Sequence, residues 1–270
     1  MNANEILLYL AIKNDGNWDK IYHDILSKVN INEEEYEPLK ASIKSKYVTL
    51  LDDDYPAVLK NMVKPPFVLF YYGDLSILTN YNKFLAIIGS RNYSKYGRMM
   101  TFSIIEELDE DIVIISGLAR GIDSFAHESA ISNNHKTIAV LGSGIDVCYP
   151  AQSQELYDVI KKDHLLISEY PNNVEPVPDN FPIRNRIIAG LSQAVLVTEA
   201  DKRSGTSITV NYALASGRDV FAVPHHAHKC SLCNLLIKDG AKLVEHGEDI
   251  NDEFNKYQFD GEKNLKDKLM

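Results

Sequence analysis

Arginine is missing from both ends of this chain: all seven arginines fall between positions 91 and 218, and the flanks carry only lysine. An excess of positive charge is missing too. Lysine and arginine number 28 against 38 acidic residues, giving a formal net charge of -10, and every segment is mildly acidic: 8 basic to 12 acidic in 1–80, 16 to 21 in 81–250, 4 to 5 in 251–270. That balance excludes a protein that coats nucleic acid by bulk charge. Cysteine is scarce, with only Cys148, Cys230 and Cys233; an odd, sparse set excludes the disulfide framework of a small secreted domain and points to a reducing cytoplasm. Long apolar runs are lacking. The most apolar N-terminal run, ILLYLAI (6–12), has seven residues and follows Glu5, far short of the ~20 that cross a bilayer, so no membrane association is expected. There is no internal repeat, and the acidic runs EEE (33–35) and DDD (52–54) read as solvated faces.

Six short apolar runs, rich in β-branched residues, recur from residue 84 onward: FLAII (84–88), IVII (112–115), TIAVL (137–141), LLIS (165–168), AVLVT (194–198) and VFAV (220–223). Continuous apolar runs of this length, separated by helix-sized stretches, predict strands of a parallel sheet buried on both faces. The expected fold class is therefore α/β, an extended Rossmann-like, mostly parallel sheet over 55–250, with a small helical N-terminal domain at 1–54. Residues 55–74 read as an irregular connection into an extended segment. The last stretch, 251–270, reads as a short polar tail with too few residues for a winged helix.

The loops after these strands are rich in glycine and polar residues: GSR (89–91), SGLARGID (116–123), GSGIDVCYP (142–150) and EADKRSGTS (199–207). Right-handed crossovers place them on one edge of the sheet, where open α/β folds bind ligands. Glycine allows close backbone approach, and amides fanned out at helix starts cradle anions; with Arg91, Arg120 and Arg203, the loops describe a phosphate-binding rim. None of them is G-x-G-x-x-G or G-x-x-x-x-G-K-[ST], which removes a dinucleotide cofactor and P-loop hydrolysis from consideration. No cofactor is expected.

Read in order, AIIGSRNYSKYG (86–97), SGLARGIDSFAH (116–127), TIAVLGSGIDVCYP (137–150), SEY (168–170), FPIRNRIIAGLS (181–192) and EADKRSGTSITV (199–210) resemble the successive motifs of the DNA processing protein A family, DprA or Smf. The resemblance covers roughly residues 55–250. It implies a non-enzymatic cytoplasmic protein that binds single-stranded DNA entering by natural transformation, protects it, loads the RecA recombinase, and works as a homodimer. Motif by motif, it implies a DNA-binding set of Gly89, Ser90, Arg91, Gly117, Arg120, Gly121, Gly142, Gly144, Arg184, Asn185, Arg186, Arg203, Ser204, Gly205 and Thr206, with no catalytic residue. Where the family commonly has Pro-Gly after the last core strand, this chain reads PHHAHKCSLC (224–233).

Other candidates compete. His225, His226, His228, Cys230 and Cys233 include a C-x-x-C pair, but all lie within nine residues rather than in two separated half-sites, so no metal is expected. Ser143 in LGSGI does not fit G-x-S-x-G. Asp123 and His127 share a helix face at a spacing of four, which suggests a structural hydrogen bond. Glu169 and Glu199, each directly after a strand, suggest the alternative of a phosphoribohydrolase-like nucleotide hydrolase. Tyr93, Tyr96, Tyr149, Tyr170 and Phe181 flank the rim and offer stacking surfaces for unpaired bases.

The stretch FPIRNRIIAGL (181–191) poses an electrostatic question. With Pro182 as first helical residue and Asp179 or Asn180 as cap, Arg184 and Arg186 fall at a helix start, where cations are disfavoured until a phosphate docks. The competing reading is that Glu175 or Asp179 neutralises them. Residues two apart on a helix diverge by about 200°, so one arginine is expected to grip DNA and the other to brace the fold or reach a neighbouring phosphate.

Overall fold

All six apolar runs are strands in the computed structural model, which describes residues 1–256 apart from 228 and 230. Three helices come first, α1 (Ala3–Lys13), α2 (Trp18–Leu26) and α3 (Glu33–Ala41), then β1 (Lys46–Thr49), the short α4 (Ala57–Lys60), β2 (Val68–Gly73) and the short α5 (Ile77–Asn80). The alternating region runs β3 (Lys83–Gly89), α6 (Lys95–Glu106), β4 (Ile112–Ser116), α7 (Ile122–Ser132), β5 (Thr137–Leu141), a 3-10 turn at Ala151–Ser153, α8 (Gln154–Asp163) and β6 (Leu165–Ser168). It continues with α9 (Asn180–Leu191), β7 (Ala194–Glu199), α10 (Thr206–Ala215), β8 (Asp219–Ala222), α11 (Leu232–Lys238) and β9 (Lys242–Leu243). The chain is helical again over 248–256; the polar tail expected at 251–270 thus starts in a helix, and its remainder, 257–270, lies outside the described residues.

One nine-stranded sheet results, ordered β1-β2-β6-β5-β4-β3-β7-β8-β9. The pairs β1/β2 and β2/β6 are antiparallel and the others parallel. Every residue of β4, β5 and β6 is buried, because helices cover both faces of the sheet. On one face Ile88, Val113, Val140 and Val197 pack under α4, α9 and α10. On the other, Leu85, Ile87, Ile114 and Leu196 pack under α6 and α7. Two-sided burial is why the strands read as continuous apolar runs and not as alternation.

Residues 1–54 are not purely helical, since β1 extends the sheet edge. The apolar side of α1, from Leu7 to Ile12, shares a cluster with Phe70, Ala139, Leu141 and Leu166, so these helices sit directly on the β2-β6-β5 end of the sheet. Each is started by an asparagine, Asn2, Asn17 or Asn32, whose side chain accepts a first-turn amide and so satisfies one of the free helix-start donors. The turn between α1 and α2 is pressed against the end of β6. At Gly16, with φ +72°, an added Cβ would lie 2.4 Å from the Glu169 carbonyl oxygen, which explains the glycine of NDGN.

The strand order fixes where a ligand site can form. From β3 the chain winds outward through β4, β5 and β6, then returns to place β7 on the opposite side of β3. The crossovers diverge at the carboxyl ends of β3 and β7, leaving the crevice in which open α/β sheets bind their ligands.

Candidate functional site

That crevice is a cleft of about 540 Å³. It is lined by Ile88 to Asn92, from the end of β3 and the turn after it; Ala119 comes from the β4 to α7 connection and Asp123 from the first turn of α7, Phe181, Pro182, Arg184 and Asn185 from α9, and Ser204, Gly205 and Thr206 from the start of α10. A side hollow of about 510 Å³ shares Arg91, Asn92, Ala119, Tyr149 and Phe181 with it and adds Gly117 and Arg120. Four loops distant in sequence thus meet at the switch point. Of the residues implied from sequence, Gly89, Ser90, Arg91, Gly117, Arg120, Arg184, Asn185, Ser204, Gly205 and Thr206 line these two connected spaces.

The remainder sit elsewhere. Gly142 and Gly144 are buried: a Cβ on Gly142 would meet the Phe181 ring at 2.8 Å, one on Gly144 the Asn172 carbonyl oxygen at 2.1 Å, so both allow close packing behind the α9 wall. Gly121 lies at the outer side of Arg120, with φ +91° and its absent Cβ 2.3 Å from the Ser90 carbonyl oxygen. Only glycine fits both that dihedral and that approach. Arg203 is exposed on the loop before α10.

The charge of the cleft comes from guanidinium groups more than from loop amides. Arg91 is exposed, with its guanidinium 5.4 Å from the centroid of Phe181. Arg184 is only 3% exposed; its Nη1 donates to the carbonyl oxygens of Gly117, at 2.8 Å, and Val140, and its Nε donates to Asn185 Oδ1 at 3.2 Å. Among the described residues no carboxylate stands within ion-pair distance of it. Burial pulls Arg184 down to about 10, which leaves it charged at neutral pH, and a buried cation held only by neutral oxygens has unmet capacity for an anion. Asp123, across Gly117 from it, accepts the Gly117 amide at 3.2 Å; burial pushes its carboxyl up, while the Arg184 charge pulls the other way.

Several loop amides expected to cradle anions are already occupied. Ser90 N–H donates to the Glu199 carbonyl at 2.7 Å and Gly144 N–H to the Val174 carbonyl at 2.8 Å, and the Gly117 amide is held by Asp123. Two first-turn amides of α10 are occupied as well, Ser207 N–H by the Ser204 carbonyl at 3.3 Å and Ile208 N–H by the Gly205 carbonyl at 3.1 Å. Neither α9, begun at Asp179, nor α10, begun at Gly205, has a side-chain cap, and the buried Ser204 hydroxyl beside the α10 start has no hydrogen-bond partner. What the α10 start offers an anion is the positive end of the helix dipole, with the unpartnered Ser204 hydroxyl buried beside it.

The two arginines of α9 part company. Arg186 is also 3% exposed, but its Nη2 donates to both oxygens of the buried Glu169, at 2.6 and 2.8 Å, its Nε to the Lys64 carbonyl at 3.0 Å and its Nη1 to the Ile183 carbonyl at 3.2 Å. It is a brace between α9, the end of β6 and the segment before β2. The expected helix start is corrected in the same place: α9 begins at Asn180, so Pro182 is its third residue and the arginines lie in the second turn, beyond the first-turn amides. Pro182 is tolerated there because the first turn's amides have no intrahelical acceptor. The acid beside Arg186 is Glu169 and the one facing Arg184 is Asp123, both remote in sequence, and neither is Glu175 or Asp179.

The other candidates resolve as follows. Tyr149, 46% exposed, leans on Phe181 at 5.5 Å, and Tyr93 is 41% exposed; Tyr170 is buried in the core and Tyr96 is tied to the Pro224 carbonyl, so neither offers a stacking face. His127 does not hydrogen-bond Asp123 but shares a 2.7 Å bond with Thr137 through Nδ1. Glu199 accepts the Ser94 amide at 2.8 Å. Cys233 faces the core and His225 bonds the Thr198 carbonyl; His228 and Cys230 lie outside the described residues. Sequence reasoning missed Asn92, Pro176, Pro178 and Thr209 as lining residues. For Asn92 the signal was its place directly after GSR, and for the others there was none.

A family model described as DNA recombination-mediator protein A matches residues 46–255. The chain belongs to that family. It is 46% identical over 210 residues to DNA processing protein DprA of Streptococcus pneumoniae, covering 76% of this chain and 73% of that one. With Protein Smf of Synechocystis it shares 38% over 232 residues, covering 82% of this chain and 58% of that relative. An X-ray structure of the pneumococcal DprA superposes with a TM-score of 0.81 at 36% identity, over 93% of this chain and 98% of that one. Helicobacter pylori DprA, whose structure gives insight into its single-stranded DNA binding mode, superposes with a TM-score of 0.71 at 27% identity, over 79% and 97%. The mixed α/β fold expected from the strand runs is the fold of these relatives. Among the described residues no helix is long and apolar enough to cross a membrane.

Proposed function

We propose that this protein is a non-enzymatic mediator of DNA recombination in the cytoplasm, which binds incoming single-stranded DNA during natural transformation, protects it and delivers it to the RecA recombinase, working as a homodimer. The observation that carries the reading is Arg184: a buried guanidinium whose hydrogen bonds all go to neutral oxygens, with Asp123 acting on it only across Gly117, lining a cleft that is also lined by Arg91, Ser204 and the uncapped start of α10. Three kinds of donor converge on one space, and a phosphodiester satisfies them together. Phe181 and Tyr149 stand beside the arginines and take base faces, which explains how an acidic protein prefers unpaired DNA. Phosphates held inward leave Watson-Crick edges outward for the recombinase.

A nucleotide hydrolase would need two free carboxylates. Glu169 is consumed by Arg186 and Glu199 by the Ser94 amide, so no observation favours that alternative. The test is a fluorescence titration with oligonucleotides. Single strands bind more tightly than duplex, affinity falls steeply with salt, and Arg91→Ala weakens binding without changing the melting temperature; equal affinity for duplex, or release of free base from nucleotides, overturns the reading. RecA delivery is read separately, as faster filament formation on strands already covered by a single-strand binding protein.

A further inference from the structure

The concave surface does not end at Arg120. Beyond it a groove of about 800 Å³ runs between α6, α7 and the start of α8, and it shares Arg120, Pro150 and Gln152 with the hollow that adjoins the cleft. The three spaces form one track. Within the groove the exposed Arg98 lays its guanidinium over two rings, 5.5 Å from the centroid of Phe102 and 5.1 Å from that of Phe125. Tyr93 meets Phe125 edge-on at 4.6 Å and remains 41% exposed. A guanidinium held between two rings inclined at 51° to each other is restrained in position while its exposed side stays open to solvent.

We propose that this groove is a second DNA-contact segment, in which bases of a strand leaving the cleft stack on Tyr93 and on the outer face of Arg98. The inference rests on the reading that the cleft holds single-stranded DNA. Charge sets how the strand lies: Arg91, Arg120 and Arg98 mark successive positions along the track, while Glu128 and Glu155 also line the groove. Phosphates follow the arginines, and the carboxylates repel the backbone but accept hydrogen bonds from base amino groups. Duplex bases are already stacked on each other and cannot use the platform.

The test compares thymidine oligonucleotides of about 6 and about 18 residues, one filling the cleft alone and the other able to reach the groove. The wild-type chain binds the longer strand more tightly per site. Tyr93→Ala with Arg98→Ala removes about tenfold of affinity for the long strand and leaves the short one unchanged, whereas Arg91→Ala weakens both. Arg98→Lys, which keeps the charge and loses the flat face, behaves like Arg98→Ala if stacking carries the contact. Equal loss on both lengths, no loss on either, or a duplex whose affinity falls in step with that of the long strand overturns the proposal. If the double substitution lowers the melting temperature, Tyr93→Ser alone, at an exposed ring, gives the same length-dependent readout. Failure of Arg91→Ala to weaken the short strand counts instead against the cleft itself.

Discussion

One turn of α9 holds two arginines of equal burial and opposite situation. Arg186 has a carboxylate at 2.6 Å, and Arg184 has only neutral oxygens. Exposure is 3% for both, so depth does not distinguish them; the partner does. A buried cation gripped by its counter-ion is part of the scaffold, and one whose hydrogen bonds go to neutral oxygens, with its nearest carboxylate, Asp123, acting only through space, keeps capacity for an anion.

The comparison is most strongly tested on the paired side. Glu169→Ala leaves Arg186 buried and uncompensated and is expected to destabilise the fold by about 3 to 5 kcal/mol, while replacing both by methionine costs far less; urea unfolding of the single and double variants measures the gap. If the single change is harmless, the brace is misassigned. On the unpaired side Arg184→Ala is expected to lose about 2 kcal/mol of single-strand affinity, roughly thirtyfold, with little change in melting temperature. A variant that instead melts early and binds normally would reverse the roles of the two residues.

A gentler probe leaves both arginines in place. Gly117→Ala puts a methyl at 2.5 Å from Arg184 Nη2 and 2.7 Å from Asp123 Oδ2, so it displaces the guanidinium and weakens DNA binding about tenfold, with a smaller effect on unfolding. Acid sensitivity also belongs to the Arg184 side. Burial, with His164 and Arg184 nearby, pulls His127 down to about 3, so the unfolded chain takes up its proton first. Its contribution is complete above pH ~6.5 and is lost as pH falls toward 3, by about 1.4 kcal/mol per pH unit. In His127→Asn the melting temperature therefore varies less with pH across that window. The smallest effect is expected from Arg203→Ala, exposed and off the cleft lining, at no more than about threefold in affinity.

Much of this was legible in the chain. TIAVL and LLIS are β5 and β6 to the residue, because two-sided burial leaves a local apolar signature. The cleft loops were legible for a similar reason: a strand followed by glycine and arginine is a contiguous pattern, and GSR and SGLARGID both reach the site. What was not legible were partners. Nothing around Gly142 says that Phe181 fills the space beside it, nor that the Ser90 amide is taken by the Glu199 carbonyl, since both relations join segments about 40 or more residues apart. The start of α9 was displaced by two residues for a local reason, as proline serves at any position of a first turn whose amides lack acceptors.

By itself the sequence determined the six-stranded parallel core of the sheet, β3 to β8, the edge on which its loops gather, and the divergence of Arg184 and Arg186 that follows from helical geometry. Which arginine became scaffold and which faces the cleft was decided only in three dimensions. Folding brought Glu169, from the end of β6, under one guanidinium and the carbonyls of Gly117 and Val140 under the other, and an ion pair depends on distance in space, which the order of residues along α9 does not encode.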